Sequence, residues 1–174
     1  MKTYVLMLSQ VFPADHPRAG ESTIFSTKLQ NAIGIPILGK PFFAPGEPVK
    51  KVHTIRANYD LWKKRFDKID KGEAELSIRV WDGKPYRSKQ IEIARLNRSH
   101  GIGIQRVNID MRHYDTYSVV DWFVTDPEYL EIDHFQGNAI AFYDGLTFTD
   151  WLYLFKTYDL SKPMAIIHFT PFRY

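Results

Sequence analysis

Residues 51–56 read KVHTIR. Lys51, Thr54 and Arg56 stand at fixed spacing in a short alternating run. If the run is a strand, Val52, Thr54 and Arg56 point one way and His53 and Ile55 the other. Lys51 is out of phase with Thr54 and joins it only if the strand begins after Lys51 or bends there. Two fixed positive charges and a hydroxyl suit an anion, a phosphate or a polarised carbonyl. The competing reading is an edge strand, with Thr for β-propensity and charges for solubility. On local pattern alone the edge strand is the better of the two.

Working outward, residues 58–72 (NYDLWKKRFDKIDKG) place Leu61, Trp62, Arg65, Phe66 and Ile69 on one side of a helix, and Gly72 is a natural stop. AELSIRVW, DGK and PYRSKQIEIARL then read as a β-hairpin turning at Asp82-Gly83. GIQRVNIDM and TYSVVDWFV are further strands. Residues 145–158 form a helix with an apolar face of Phe148, Trp151, Leu152 and Phe155, and MAIIHFTPF after Pro163 is an apolar strand. On the N-terminal side, TYVLMLSQVF (3–12) is a buried strand. Residues 21–32 place Ile24, Phe25, Lys28 and Leu29 at helical spacing, with Ser22 as the expected cap. Residues 34–48 are rich in Gly and Pro yet carry Ile35, Ile37, Leu38, Phe42 and Phe43, so they read as an ordered excursion, not a linker. Helices and strands are mixed without a βαβ alternation. The expected fold is α+β, one domain over 1–174, around a mostly antiparallel, closed sheet.

The 174 residues are 44% hydrophobic and 25% charged, ordinary for a globular chain, but 15% aromatic, an excess that suits a stacking surface. There is no cysteine, which excludes disulfides, thiolate metal sites and a cysteine nucleophile and fits a cytoplasmic location. No apolar run approaches the roughly 20 residues of a membrane helix, and the N-terminal YVLML is too short for a signal peptide. The net charge of +3 is uneven. Residues 50–98 hold 14 Lys/Arg against 7 Asp/Glu, whereas residues 99–174 hold 5 against 10. A basic middle suits a polyanion, although solvated faces of mixed charge explain it as simply.

The helix with Phe25, Lys28 and Leu29, the K-x-x-T-I-R run, the Trp-bearing helix, the hairpin and the late YDGLTF segment together resemble the ASCH domain family of PUA-like β-barrels. The family hallmark is Lys-x-x-Thr-x-Arg entering a strand, matched by Lys51, Thr54 and Arg56. The chain departs from it by placing the 34–48 excursion before the motif and by EPVKK where a Gly often precedes the Lys. The resemblance covers about residues 21–170 and implies RNA or nucleoside binding in a cleft between barrel and helices. Some members resemble ribonucleases. One branch hydrolyses the amide of acetylcytidine with a Lys, a Thr and a carboxylate; Lys51 and Thr54 match, and Asp144 stands where that branch has Glu. Asp144 has an equally good reading as a carboxylate at a helix N-terminus.

Tyr86 and Arg87, in GKPYRSKQ, are placed to stack a base and grip a phosphate, while Lys84 and Lys89 read as a solvated hairpin tip. His53 is expected to face away from Thr54, and His168 to be a core histidine. No His/Asp/Glu cluster has metal-ligand spacing, no nucleotide loop or Gly-x-Ser-x-Gly is present, and no cofactor is expected. Three functions follow: a module binding RNA or a modified nucleoside through Lys51, Thr54, Arg56, Tyr86 and Arg87; a hydrolase using Thr54, Lys51 and Asp144; or an interaction protein presenting residues 34–48.

Overall fold

The structure, a computed structural model, describes residues 1–34, 49–109, 122–124, 130–132 and 134–174. In chain order its elements are β1 (Lys2–Met7), α1 (Phe25–Ile33), β2 (His53–Arg56), α2 (Tyr59–Asp70), β3 (Ala74–Trp81), β4 (Gln90–Leu96), a 3-10 turn (Arg98–His100), β5 (Gly103–Ile109), β6 (Trp122–Val124), β7 (Leu130–Ile132), α3 (His134–Tyr143), α4 (Phe148–Phe155) and β8 (Met164–His168). The fold is α+β. Almost all of the 34–48 excursion, and the part of TYSVVDWFV before Trp122, lie outside the described residues.

The strands form two sheets, ordered β1-β3-β4 and β2-β8-β5-β6-β7. Only β1 and β3 pair in parallel; every other pairing is antiparallel. Among the described residues neither sheet closes into a barrel. The central strands β3 (AELSIRVW) and β8 (MAIIH) are buried on nearly every residue, because both of their faces are covered. Leu76, Ile78, Ile166 and Ile167 anchor the core from these strands, and Leu29, Phe66, Ile69 and Trp151 pack onto it from the helices. The sheets are tied across the molecule by Arg56 of β2, whose guanidinium donates to the carbonyl of Met7 in β1 at 2.7 Å.

Three local expectations need correction. The first helix starts at Phe25, after Ile24 in a left-handed conformation (φ 55°) with no side-chain cap. Ser22 does not cap it; its hydroxyl accepts the Ile24 N–H at 3.3 Å within the preceding turn. The late helix starts at Phe148, because Thr147 accepts the Asp150 N–H at 3.2 Å and ends the turn before it. The Asp82-Gly83 turn is not a tight hairpin. Residues 82–89 form a wider loop, closed by Asp82 N–H on the Lys89 carbonyl (2.9 Å), and β4 begins only at Gln90. A register shift between Ile78 and Arg79 adds twist to β3.

Leu76 is fully buried in the middle strand of the smaller sheet. Leu76→Ala is expected to lower the unfolding free energy by roughly 2–5 kcal/mol, read by urea denaturation.

Candidate functional site

Lys51 lies just before β2 and is fixed by its backbone: its N–H donates to the Lys28 carbonyl of α1 at 2.9 Å. The next residue, Val52, donates to the carbonyl of Tyr143 at the end of α3 (2.9 Å) and accepts from Phe169 after β8 (2.8 Å). The strand therefore begins after Lys51, one of the two arrangements in which the Lys51 and Thr54 side chains reach a common space.

Asp144 sits in the turn between α3 and α4, with its N–H on the Ile140 carbonyl (2.9 Å). It does not cap α4, since Thr147 does. Its carboxylate accepts from Lys51 Nζ, and its main-chain carbonyl accepts from the same Nζ at 2.6 Å. Both side chains are buried, and the ammonium lies 4.0 Å from the ring centre of Phe25. Gly145 permits the close approach. Its φ is +81°, and a Cβ there would stand 3.2 Å from Lys51 Cβ and 3.3 Å from Lys28 Cδ.

Lys51, Thr54, Arg56 and Asp144 line one cavity of about 230 Å³. Phe25, Leu146, Leu154, Phe155 and Tyr158 supply apolar and aromatic walls, and Ser9, Pro13 and Ile55 complete the lining. Arg56 is held by two main-chain carbonyls, those of Met7 (2.7 Å) and Ile55 (3.2 Å). Thr54 is 3% exposed as a residue and lines the cavity. Lys51 directs its donors at Asp144, not at Thr54.

Burial sets the electrostatics. It lowers the Lys51 ammonium from 10.5 to about 8; Asp144 opposes this, and the charges of Arg56 and Lys28 add to it. Burial likewise raises the Asp144 carboxyl, opposed by the charges of Lys51 and Arg56. The cavity thus holds a tight ion pair plus the second cation Arg56, which burial makes somewhat easier to deprotonate than usual.

The structure splits the residues singled out in the sequence. Lys51, Thr54, Arg56 and Asp144 come together. Tyr86 and Arg87 lie on the exposed 82–89 loop and do not line the cavity; Tyr86 is 91% exposed, with its ring 5.4 Å from that of Trp81. The loop is nonetheless linked to the cavity wall, because Gln10, next to Ser9, donates to the Trp81 carbonyl at 2.7 Å. His53 and His168 are cross-strand neighbours, fully buried, with ring centres 5.6 Å apart. His53 Nε2 meets the Tyr174 hydroxyl at 2.7 Å, and burial lowers His168 to about 3, so both rings are neutral. Phe25, Lys28 and Tyr158 were not singled out as site residues. The first two left a signal, a lysine on the same helical stripe as Phe25 and Leu29, three and four residues apart.

Removing one partner of a buried ion pair leaves the other charge stranded. Lys51→Met is expected to cost roughly 3–5 kcal/mol, and Lys51→Met with Asp144→Leu to recover most of it, both read by urea denaturation. Folded Lys51 releases its proton at about 8 and unfolded Lys51 near 10.5, so the folded state binds fewer protons in between. Wild-type stability should therefore rise relative to the double variant as pH climbs through this window. Compared with protein-family models, with curated proteins and with solved structures, the chain matches none.

Proposed function

We propose that this chain is an ASCH-like domain, its two sheets belonging to a PUA-like barrel, that binds one nucleoside in the Lys51–Asp144 cavity, either free or as a modified unit of RNA. The observation that carries this reading is the convergence of Thr54, Arg56 and the Lys51–Asp144 pair on a space of about 230 Å³ walled by Phe25, Phe155 and Tyr158. A planar base finds apolar faces there, and its carbonyls and amines find donors and acceptors at one end. A polymer does not fit such a space, so in RNA the cavity takes a single unit and the backbone stays outside. The exposed Lys84, Tyr86, Arg87 and Lys89 of the 82–89 loop are the group suited to that backbone.

A second reading, an amidohydrolase acting on an acylated nucleoside such as acetylcytidine, is favoured by one specific observation. Asp144 pairs with Lys51 and leaves the capping of α4 to Thr147. In that reading Thr54 Oγ, or a water it orients, adds to the acyl carbon while neutral Lys51 takes the nucleophile's proton and passes it to the amine as the C–N bond breaks; where Thr54 is the nucleophile, water then releases acetate from it, and Asp144 holds Lys51 throughout. An ammonium that titrates at about 8 is suited to such a proton transfer near neutral pH.

The two readings separate on mutation. Against a panel of nucleosides, Thr54→Ala should weaken a binder by about 1 kcal/mol and Asp144→Asn should alter which bases it accepts. In a hydrolase, Thr54→Ala, Lys51→Ala and Asp144→Asn should each abolish acetate release from acetylcytidine almost completely. No binding and no turnover with any nucleoside would reject both.

For RNA, affinity should fall steeply with salt, and Arg87→Ala with Lys89→Ala should flatten that slope while leaving free-nucleoside affinity within twofold. A slope unchanged by these substitutions would return the loop to the role of a solvated turn.

A further inference from the structure

His168 lies in β8, which pairs with β2 on one side and β5 on the other. It is 0% exposed, and among the described residues neither of its ring nitrogens has a hydrogen-bond partner. A buried polar ring in that position gives up its hydration and receives nothing in return. A leucine would fill similar space without that cost.

Residues 170–174 cover this ring. Gln105 stands opposite Ile166 in the sheet, yet its side chain bonds Tyr174, so the chain reverses after β8 and forms a hook. The ring centres of Phe172 and Tyr174 lie 6.2 and 6.0 Å from that of His168 and 5.0 Å from each other. Few polar contacts hold the hook. Gln105 accepts the Tyr174 N–H at 3.0 Å and donates to the Tyr174 carbonyl at 3.2 Å. Arg173 donates to the Gly101 carbonyl at 2.9 Å, and the Tyr174 hydroxyl meets His53 Nε2 at 2.7 Å. Pro171 and Arg173 are exposed and Phe172 and Tyr174 half-buried, so the cover itself stands at the surface.

The hook also backs the cavity. Phe172 and Tyr174 pack on the ring of Tyr143 with centres 4.8 and 6.4 Å away. Tyr143 precedes Asp144, and its carbonyl accepts the N–H of Val52, the residue after Lys51.

A proton on His168 adds a charge and a second N–H where the ring already lacks an acceptor for the first. It also sets that charge near a cation. Arg173 lies against Gly103, the register partner of His168, so closely that a Cβ on Gly103 would collide with the guanidinium. Lifting the hook lets water reach the imidazolium and leaves the sheet in place.

We propose that residues 170–174 are an acid-released clasp: when His168 takes a proton, Phe172 and Tyr174 leave the end of the larger sheet and Tyr143 loses its backing.

The titratable and charged groups around the two histidines come from each element packed there. Lys51 and His53 stand at β2, Tyr143 and Asp144 at α3 and its following turn, and Arg173 and Tyr174 on the hook. β5 presents Gly103 and Gln105, which do not titrate. In the closed hook burial holds His168 at about 3, and release returns it to the usual 6.5. Closure is therefore complete above about 6.5 and is lost as pH falls from there toward 3.

The test is NMR of the ligand-free protein, labelled on histidine and the aromatic residues, between pH 7.5 and 3. Three signals are followed: the His168 ring, the contacts of Phe172 and Tyr174 with Tyr143, and the contacts between β3 and β4. The hook contacts should disappear in step with His168 titration, with a midpoint below 6.5, while the β3–β4 contacts persist. His168→Leu should keep its hook contacts down to the lowest pH at which its β3–β4 contacts survive.

Any of three results overturns the proposal. His168 titrates under an intact hook; the hook and the β3–β4 contacts are lost together; or His168→Leu releases its hook at the wild-type midpoint. Should His168→Leu fail to fold, the wild-type titration decides alone by the first two. No ligand takes part, so the outcome is independent of the nucleoside reading. A clasp that opens in a protein binding no nucleoside would support this inference and sink that reading.

Discussion

The ion pair between Lys51 and Asp144 is the constraint around which the rest is arranged. Two charges taken out of water cost more than their attraction returns unless the geometry is good and the remaining hydrogen-bonding capacity is used. The chain meets that demand with main-chain partners. Lys51 Nζ takes both the carboxylate and the carbonyl of Asp144, and its N–H is held by α1. The helix α1, the start of β2 and the α3–α4 turn are pinned to one another through this pair. An apolar pair of similar volume often comes close to the same stability. Retention of the charges therefore points to a role for this region beyond holding the fold.

The basic character of residues 50–98 divides into two physically different populations. Lys51 and Arg56 are inside, held on carbonyls and a carboxylate, and little screened by salt. Lys84, Arg87 and Lys89 are outside, on a loop in water, and their long-range field is weakened by ordinary ionic strength. The inner group is suited to recognising one small molecule by shape and hydrogen bonds. The outer group is suited to steering a polyanion without reading it. Two other exposed cations of this region are absorbed locally. Arg95 meets Glu75 and Glu92, and Lys63 meets Asp67, so the raw excess of cations overstates the field available to a partner.

Much of this was legible in the sequence wherever a short-range rule decides. The alternation in KVHTIR placed His53 away from Thr54. The 3.6-residue spacing of Trp62, Phe66 and Ile69 marked the buried side of α2, although Leu61, read onto the same side, is exposed; the helix's end before Gly72 followed from glycine's freedom at positive φ. Rules failed where distant chain decides. Asp82-Gly83 signals a turn, but the loop length depends on the register of β3 with β4 and on the shift at Ile78/Arg79. Asp144 reads equally well as a cap or as a partner, and the choice falls to a lysine 93 residues away. Lys28 looks like the polar margin of an amphipathic helix, because nothing near it in sequence announces the carbonyl of Gly145, 117 residues on.

The pairing of β2 carries a kinetic meaning. Among the described residues this four-residue strand is at the edge of its sheet and pairs with β8, His53 with His168 and Arg56 with Ala165. The motif is made early in synthesis, yet its strand has no template until more than a hundred further residues have been added. Closing so long a loop is slow, and Lys51 meets Asp144 only in the same late step. Until then Lys51 stays hydrated, and the emerging chain has no pocket in which to trap a ligand. The cavity is thus a readout of completed folding: its lining is assembled only when β2 and β8, far apart in the chain, have met.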